Sequence, residues 1–380
     1  MAISKFSGIA WDDIAEVDGI AKASIAEIGG SAAPAAAGGA SLWVVAAEDG
    51  GIATAAAADL NDWTGYDATG LGNSDHLTIA VGEDGSGGPR WVVGTTDGNM
   101  ELRYSDDPTD GADWNSINIA GDVYGVGWGN GVWISVGQAG ELHRSTDGAS
   151  WTRIDLSVGD QNVAGWVNTV IIWDVVTDGA GNWMCCQGAN IFGSTDDGAT
   201  WARIAELDDA GGLNIGAGFT ATSMAYTASR WSVYLWGKSP NRTLVCHAAA
   251  ADPAAWAICT VDGSPPSGQD LIGKLARRMA GGNGTVIIQY AHVTSRSTDG
   301  GQDWTSYSGT YPGTGLLPYN DSKDVATDGN GTWIIVHDSG RISVSSDDGL
   351  TWAEQTGGQV DFPTNTENIE AVAMNVPLPV

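Results

Sequence analysis

Ser345-Ser346-Asp347-Asp348-Gly349-Leu350-Thr351-Trp352 follows a pattern, Ser-x-Asp-x-Gly-x-x-Trp, that Ser194 to Trp201 and Ser297 to Trp304 repeat. Ser145 to Trp151 carries a copy one residue shorter, and Ser105 to Trp114 one with an insertion around Pro108. Ser and Asp side-chain oxygens can accept turn amides, Gly permits φ > 0, and Trp can cover the turn. A device that builds one kind of hairpin and keeps returning predicts repeated hairpins on a common plan. The structural set is Ser145, Asp147 and Trp151; Ser194, Asp196, Gly198 and Trp201; Ser297, Asp299, Gly301 and Trp304; Ser345, Asp347, Gly349 and Trp352.

The repeating unit is about 48 residues long from residue 41 onward. Each unit reads as a strand, a Gly-rich turn, an apolar second strand led by Trp, a third strand, the Ser/Asp turn and a fourth strand. The second-strand positions are Trp43, Trp91, Trp133, Trp183, Trp231, Val286 and Trp333. The turn Trp positions are Trp63, Trp114, Trp151, Trp201, Trp256, Trp304 and Trp352, with the patterns before Trp63 and Trp256 reduced to Ala-rich runs. Asp178-Gly179-Ala180-Gly181-Asn182-Trp183 matches Asp328-Gly329-Asn330-Gly331-Thr332-Trp333, and both carry hairpin chemistry. Seven units of four antiparallel strands predict an all-β, seven-bladed β-propeller over 41–380. The first unit begins at its second strand. Asn368 to Met374 follows the last turn as a first strand should, and is expected to close the ring and leave no free sheet edge.

The Ser-x-Asp-x-Gly-x-x-Trp pattern resembles the Asp-box, or BNR repeat, of sialidases, sortilin-type receptors, some glycanases and photosystem assembly factors. That resemblance implies propeller blades and a turn-building role for the box. It does not carry over catalysis. The chain has no Phe-Arg-Ile-Pro near its start, and Arg103, Arg144 and Arg296 precede turn serines repetitively, as blade-surface residues would. No enzyme is expected.

Residues 1–30 hold a different repeat. Gly8 to Asp18 and Gly19 to Gly29 share an eleven-residue period, with Asp18-Gly19 as a hairpin signal between them. Thirty residues cannot enclose a core, so Ile9, Trp11, Ile14, Val17, Ile20, Ile25 and Ile28 form a docking stripe that needs a partner surface. The propeller itself is the alternative surface. Residues 31–40, rich in Ala, Gly and Pro, read as a linker. The stretch 1–30 resembles the short Gly-Ile/Val-Ala repeats that open many tailed-phage structural proteins. That resemblance implies a non-enzymatic structural or attachment protein of a virion (tail, fibre or capsid decoration), with other virion proteins as partners. A carbohydrate-binding or glycan-cleaving propeller and a cellular assembly factor are the alternatives.

Forty-six acidic against 16 basic residues give a net charge of −30. That argues against nucleic acid or an anionic membrane as partner. No stretch reaches the length of a membrane span, and the N-terminus lacks the apolar core of a signal peptide. The expectation is manufacture in a host cytoplasm and residence in the virion. Four Cys are too few for a disulfide framework, so Cys246 and Cys259 read as buried thiols, with a disulfide as the alternative. The five His (His76, His143, His247, His292, His337) lack ligand spacing. Asp106, Asp107, Asp110 and Asp113 crowd one expanded turn, which reads as a solvated turn or a Ca²⁺ site; no other cofactor is expected.

Irregular, aromatic-bearing loops on a rigid scaffold are where binding concentrates. Here the long connections 157–169, 206–220, 262–271 and 308–322 fall on the face opposite the boxes. Trp166, Phe219, Tyr311 and Tyr319, with Lys238 and Arg242 in a neighbouring loop, are the candidate contacts for a host-surface glycan or receptor. The alternative is that the aromatics cap the blades.

Overall fold

A computed structural model describes residues 16–17, 20–21, 41–67, 76–96, 102–119, 121–157, 161–207, 218–237, 242–261, 278–290, 293–308, 322–355, 360, 362 and 368–375. The chain divides into two compact units, Met1–Ala32 and Ala33–Val380. In the first, Glu16–Val17 pairs antiparallel with Ile20–Ala21 through Val17↔Ile20, as the Asp18-Gly19 signal predicts. Ile9, Trp11, Ile14, Ile25 and Ile28 lie outside the described residues.

The second unit is a seven-bladed propeller. Blades two to five and seven each take four consecutive strands in antiparallel order, beginning with His76–Glu83, Val123–Gly129, Ile172–Thr177, Phe219–Thr227 and Ser322–Thr327. Blade six begins at Arg278–Gly282, and its outermost strand Asp303–Ser308 gains a short parallel neighbour, Thr260–Val261. Sequence patterning gave no sign of that fifth strand. Blade one takes its innermost strand from the other end of the chain: Ile369–Met374 pairs with Leu42–Ala47, from Trp43↔Met374 to Ala47↔Ile369. Leu42 N donates to Asn375 Oδ1 at 2.6 Å, and Asn375 N returns a bond to Leu42 O at 3.1 Å. The expected closure is present.

Each sheet buries both faces against its neighbours, so its second strand is buried throughout and mostly apolar. Val132–Gly137, Trp183–Gln187 and Trp333–His337 are buried along their whole length. The leading Trp residues of six blades, Trp43, Trp91, Trp133, Trp183, Trp231 and Trp333, are at most 2% exposed. Rings of that size dominate what each blade buries.

The Ser-x-Asp-x-Gly-x-x-Trp turns show why those residue types recur. In blade seven, Ser345 Oγ accepts Gly349 N (2.9 Å) and Asp347 Oδ1 accepts Thr351 N (2.8 Å), while Trp352 Nε1 donates to Gly349 O (3.1 Å). Ser194, Asp196, Gly198 and Trp201 repeat the set at 3.0, 2.8 and 2.9 Å. In blade six, Ser297 Oγ accepts Gly301 N, Asp299 Oδ1 accepts Asp303 N, and Trp304 Nε1 donates to Gly301 O. The shorter copy uses Ser145, Asp147, Gly148 and Trp151 in the same way. Gly349 has φ +78°, and a Cβ there would collide with Ile287 of the preceding blade. Glycine is needed for backbone and for space. The reduced copy before Trp256 departs from the plan: Arg242–Ala249 and Asp252–Ile258 form a tight hairpin, and Trp256 lies inside the fourth strand.

Arg144 and Arg296 are not simple blade-surface residues. Arg144 Nε donates to Asp197 O (2.8 Å) and Arg296 Nε to Asp348 O (2.7 Å), each clamping the turn of the following blade. Arg103 is 2% exposed and donates to Ser116 Oγ. For Arg144 and Arg296 the signal was the Arg before the turn Ser, but the partner belongs to another repeat and is far off in sequence.

Candidate functional site

A cluster of ionisable groups lies where the innermost strands meet at the propeller axis. Six of the seven inner strands carry a β-bulge at one register position: between 76 and 78, 123 and 125, 172 and 174, 221 and 223, 322 and 324, and 369 and 371. Arg278 occupies the matching position in blade six, opposite Gln289. The equivalent residues around the ring are therefore Thr78, Gly125, Asp174, Ser223, Arg278, Asp324 and Ala371. A bulge takes an amide out of the ladder and leaves it in need of another acceptor.

Side chains at this ring position supply the acceptors. Asp174 Oδ2 accepts Met224 N from blade five at 2.8 Å, and Ser223 Oγ accepts Met279 N from blade six at 2.7 Å. Asp324 Oδ2 accepts Val372 N of the closing strand at 3.0 Å. Gly125 and Arg278 cannot accept. In the blades that follow them, Val175 N and Val325 N turn instead to the other oxygen of their own Asp174 and Asp324, at 2.8 and 2.9 Å. The two carboxylates thus serve two blades each.

Arg278 reaches across the axis. Its Nη1 stands 3.3 Å from Asp174 Oδ1 in blade four, and its Nη2 donates to Leu77 O (3.0 Å) in blade two and to Tyr124 O in blade three. One side chain ties four blades. Beside it, Lys323 Nζ bridges Glu370 Oε1 (2.7 Å) and Asp338 Oδ1 (2.9 Å), tying blade seven to the closing strand.

Burial raises the Asp174 carboxyl above its ordinary value, with Arg278 partly offsetting it. Burial likewise raises Asp324 to about 7, against the pull of Arg278 and the two amides. A carboxyl with a folded pKa above its unfolded value favours the folded state most when protonated, and that stability is lost as pH rises through about 7. His143 and His337 act oppositely, because burial lowers each to about 4 and their neutral rings lose stability on acidification. Between pH 6.5 and 8 the Asp324 contribution stands apart from these histidines. Thermal melts should show wild-type stability falling across that window by about 1 kcal/mol, and Asp324→Asn flattening the fall. An unchanged slope in Asp324→Asn would assign it elsewhere.

No sequence reading singled out this cluster, although a signal exists. Asp174-Val175-Val176-Thr177-Asp178-Gly179 and Asp324-Val325-Ala326-Thr327-Asp328-Gly329 are one motif, extending the recognised Asp-Gly turn four residues upstream.

The predicted contact loops fare differently. Trp166 is 8% exposed, edge-on to Phe192 with centroids 4.9 Å apart, and its Nε1 donates to Asn168 Oδ1. Phe219 is 7% exposed, over Gly237. Both cap their blades and neither offers a ring face to a ligand, which corrects the expectation of exposed aromatics there. The cause is Gln187, whose amide bonds to the backbone of Val167 and Val170, fixing the connection and turning Trp166 inward. The side chains left outside are Val167 (44% exposed) and Val170 (36%). Arg242 begins a strand of blade five; Lys238, Tyr311 and Tyr319 lie outside the described residues.

The four aspartates of the expanded turn have separate partners. Arg90 takes the Asp106 carboxylate through two nitrogens, at 2.7 and 2.8 Å. Asp107 accepts Thr109 N and Asp110 accepts Ala112 N, while Asp113 Oδ2 accepts Ser105 Oγ and the amides of Asp106 and Asp107. Among the described residues no group of three His, Cys, Asp or Glu is placed to hold a metal ion. All four cysteines are buried free thiols, and burial raises Cys246 and Cys186. No described helix is long and apolar enough to cross a membrane.

No protein-family model matches the chain, and no curated protein matches it in sequence. In shape it is similar to YCF48 from Cyanidioschyzon merolae, at 14% identity over 80% of this chain and 95% of that one, with a TM-score of 0.51. It is also similar to the computationally designed Ika8 protein, at 10% identity over 90% and 91% of the two chains, with a TM-score of 0.52. At these identities the likeness concerns the fold, a β-propeller.

Proposed function

We propose that this chain is a non-enzymatic attachment protein of a tailed-phage particle, held by its N-terminal arm and displaying its propeller to partners or a host surface. The observation that carries the reading is the separate N-terminal unit, residues 1–32, whose hairpin of Glu16–Val17 and Ile20–Ala21 falls at the junction of the two eleven-residue repeats. A short repeated hairpin with an apolar stripe gains its stability from a surface it docks on. The axial cluster agrees with a scaffold, since its charged groups are engaged in holding blades together. The Ser-x-Asp-x-Gly-x-x-Trp turns, read as Asp-boxes, serve the same end. On the connecting-loop face, Val167 and Val170 replace Trp166 and Phe219 as the contacts on offer.

Particles banded by density from the source that encodes this chain should yield its peptides on digestion. The double variant Val17→Asp/Ile20→Asp, expressed as the full chain, should be left out of the particles while its propeller melts as wild type. Banded particles free of these peptides would overturn the particle reading, and full incorporation of the variant would overturn the role of the arm.

A further inference from the structure

On the turn side, at the seam between blades three and four, lies a cavity of about 310 Å³. Arg144, Thr146, Ser150, Thr152 and Ile154 of blade three line it, with Ala199 of blade four. Its arginine differs from its counterpart between blades six and seven in one respect. There, Arg296 gives Nε to Asp348 O and Nη2 to Asp348 Oδ2 at 3.1 Å, so the guanidinium is engaged by both backbone and carboxylate. Here, Arg144 gives Nε to Asp197 O, while the Asp197 carboxylate is held by Asn130 Nδ2 at 2.7 Å. Among the described residues the two terminal nitrogens of Arg144 have no partner, and neither do the hydroxyls of Thr146 and Thr152. The repeat has kept the clamp and released the fork.

We propose that this cavity is a binding site for a neutral saccharide, one hexose or the end of a short chain of them. A polyol presents hydroxyl oxygens that accept from a guanidinium and hydroxyl hydrogens that donate to threonine, while Ile154 and Ala199 can meet its C–H surface. The volume is at the lower end of small-molecule sites, enough for one or two sugar rings. The walls are fixed before binding: Ser145 Oγ holds Gly148 N, Asp147 Oδ1 holds Ala149 N and Ser150 N, and Gln161 bonds to Ala199 O and Trp201 N. Such preorganisation lowers the ordering cost of binding. The protein's charge of −30 opposes the approach of anions, which favours an uncharged ligand over a phosphate or sulfate. The inference stands on this seam alone and does not depend on the particle reading.

The test uses the full chain with glucose, galactose, mannose, N-acetylglucosamine and their β- and α-linked disaccharides, followed by saturation-transfer NMR and calorimetry. At least one should bind. Arg144→Gln should weaken it by about tenfold and the exposed Thr152→Val by about fivefold, the sizes expected for single hydrogen bonds. Arg296→Gln removes the equivalent clamp without touching the cavity and should bind as wild type, which separates loss of the site from loss of the fold. The proposal is overturned if none of these sugars binds, or if Thr152→Val and Arg144→Gln bind as wild type. It is equally overturned if inorganic sulfate or phosphate is the only species whose binding Arg144→Gln abolishes.

Discussion

Replacing Arg278 with Met should lower the unfolding free energy by about 3–5 kcal/mol, the cost of removing one partner from a buried ion pair. The substitution keeps much of the side chain's bulk and removes every bond across the axis. Leu77 O and Tyr124 O lose their donor, and Asp174 loses the cation that offsets its burial. Without Arg278 the Asp174 carboxyl should rise further, so the folded variant binds its proton more tightly. By linkage the deficit is then smaller at pH 5 than at pH 8. Urea denaturation of both proteins at the two pH values reads this directly. A loss below 1 kcal/mol would show that the axial guanidinium is dispensable, and a larger loss independent of pH would show that it does not act through Asp174.

Ending the chain at residue 367 should abolish cooperative unfolding. Leu42–Ala47 would become an unpaired inner edge, with Trp43 and Val45 losing the cover of Val372 and Met374. Asp324 and Lys323 would lose Val372 N and the Glu370 carboxylate, leaving buried polar groups unsatisfied at the axis. A gentler form of the same test is Val372→Pro, which deletes the amide that Asp324 accepts and should cost about 3 kcal/mol or more. Near-UV circular dichroism during urea titration distinguishes the outcomes. A truncated chain with the wild-type midpoint would mean that the ring does not depend on its last strand.

The blade plan was legible because it rests on local chemistry. Each turn needs Ser, Asp and Gly within five residues, and each second strand buries a Trp or its equivalent, so the period survives even where two turn copies have lost their polar residues. Closure was legible from a missing first strand at one end and a spare one at the other. The axis was not legible by residue type. Its seven equivalent positions hold Thr, Gly, Asp, Ser, Arg, Asp and Ala, a set with no common chemistry, and only the bulge register aligns them. Arg278 meets Asp174, Leu77 and Tyr124 across separations no local pattern encodes. Loop direction was hidden for a related reason. That Trp166 faces inward depends on Gln187, a strand residue 21 positions later whose amide folds the connection back.

The clasp between Leu42 and Asn375 sets how the ring would respond to force. Tension applied at residue 41 against the body of the ring would enter along the axis of Leu42–Ala47, which is flanked by Ile369–Met374 on one side and Gly51–Ala56 on the other. Both ladders are then loaded lengthwise, in shear. Their bonds must yield together rather than peel one at a time, the mechanically stronger of the two ways to part a sheet. A ring closed elsewhere, with its entering strand at an open edge, would lack that second ladder.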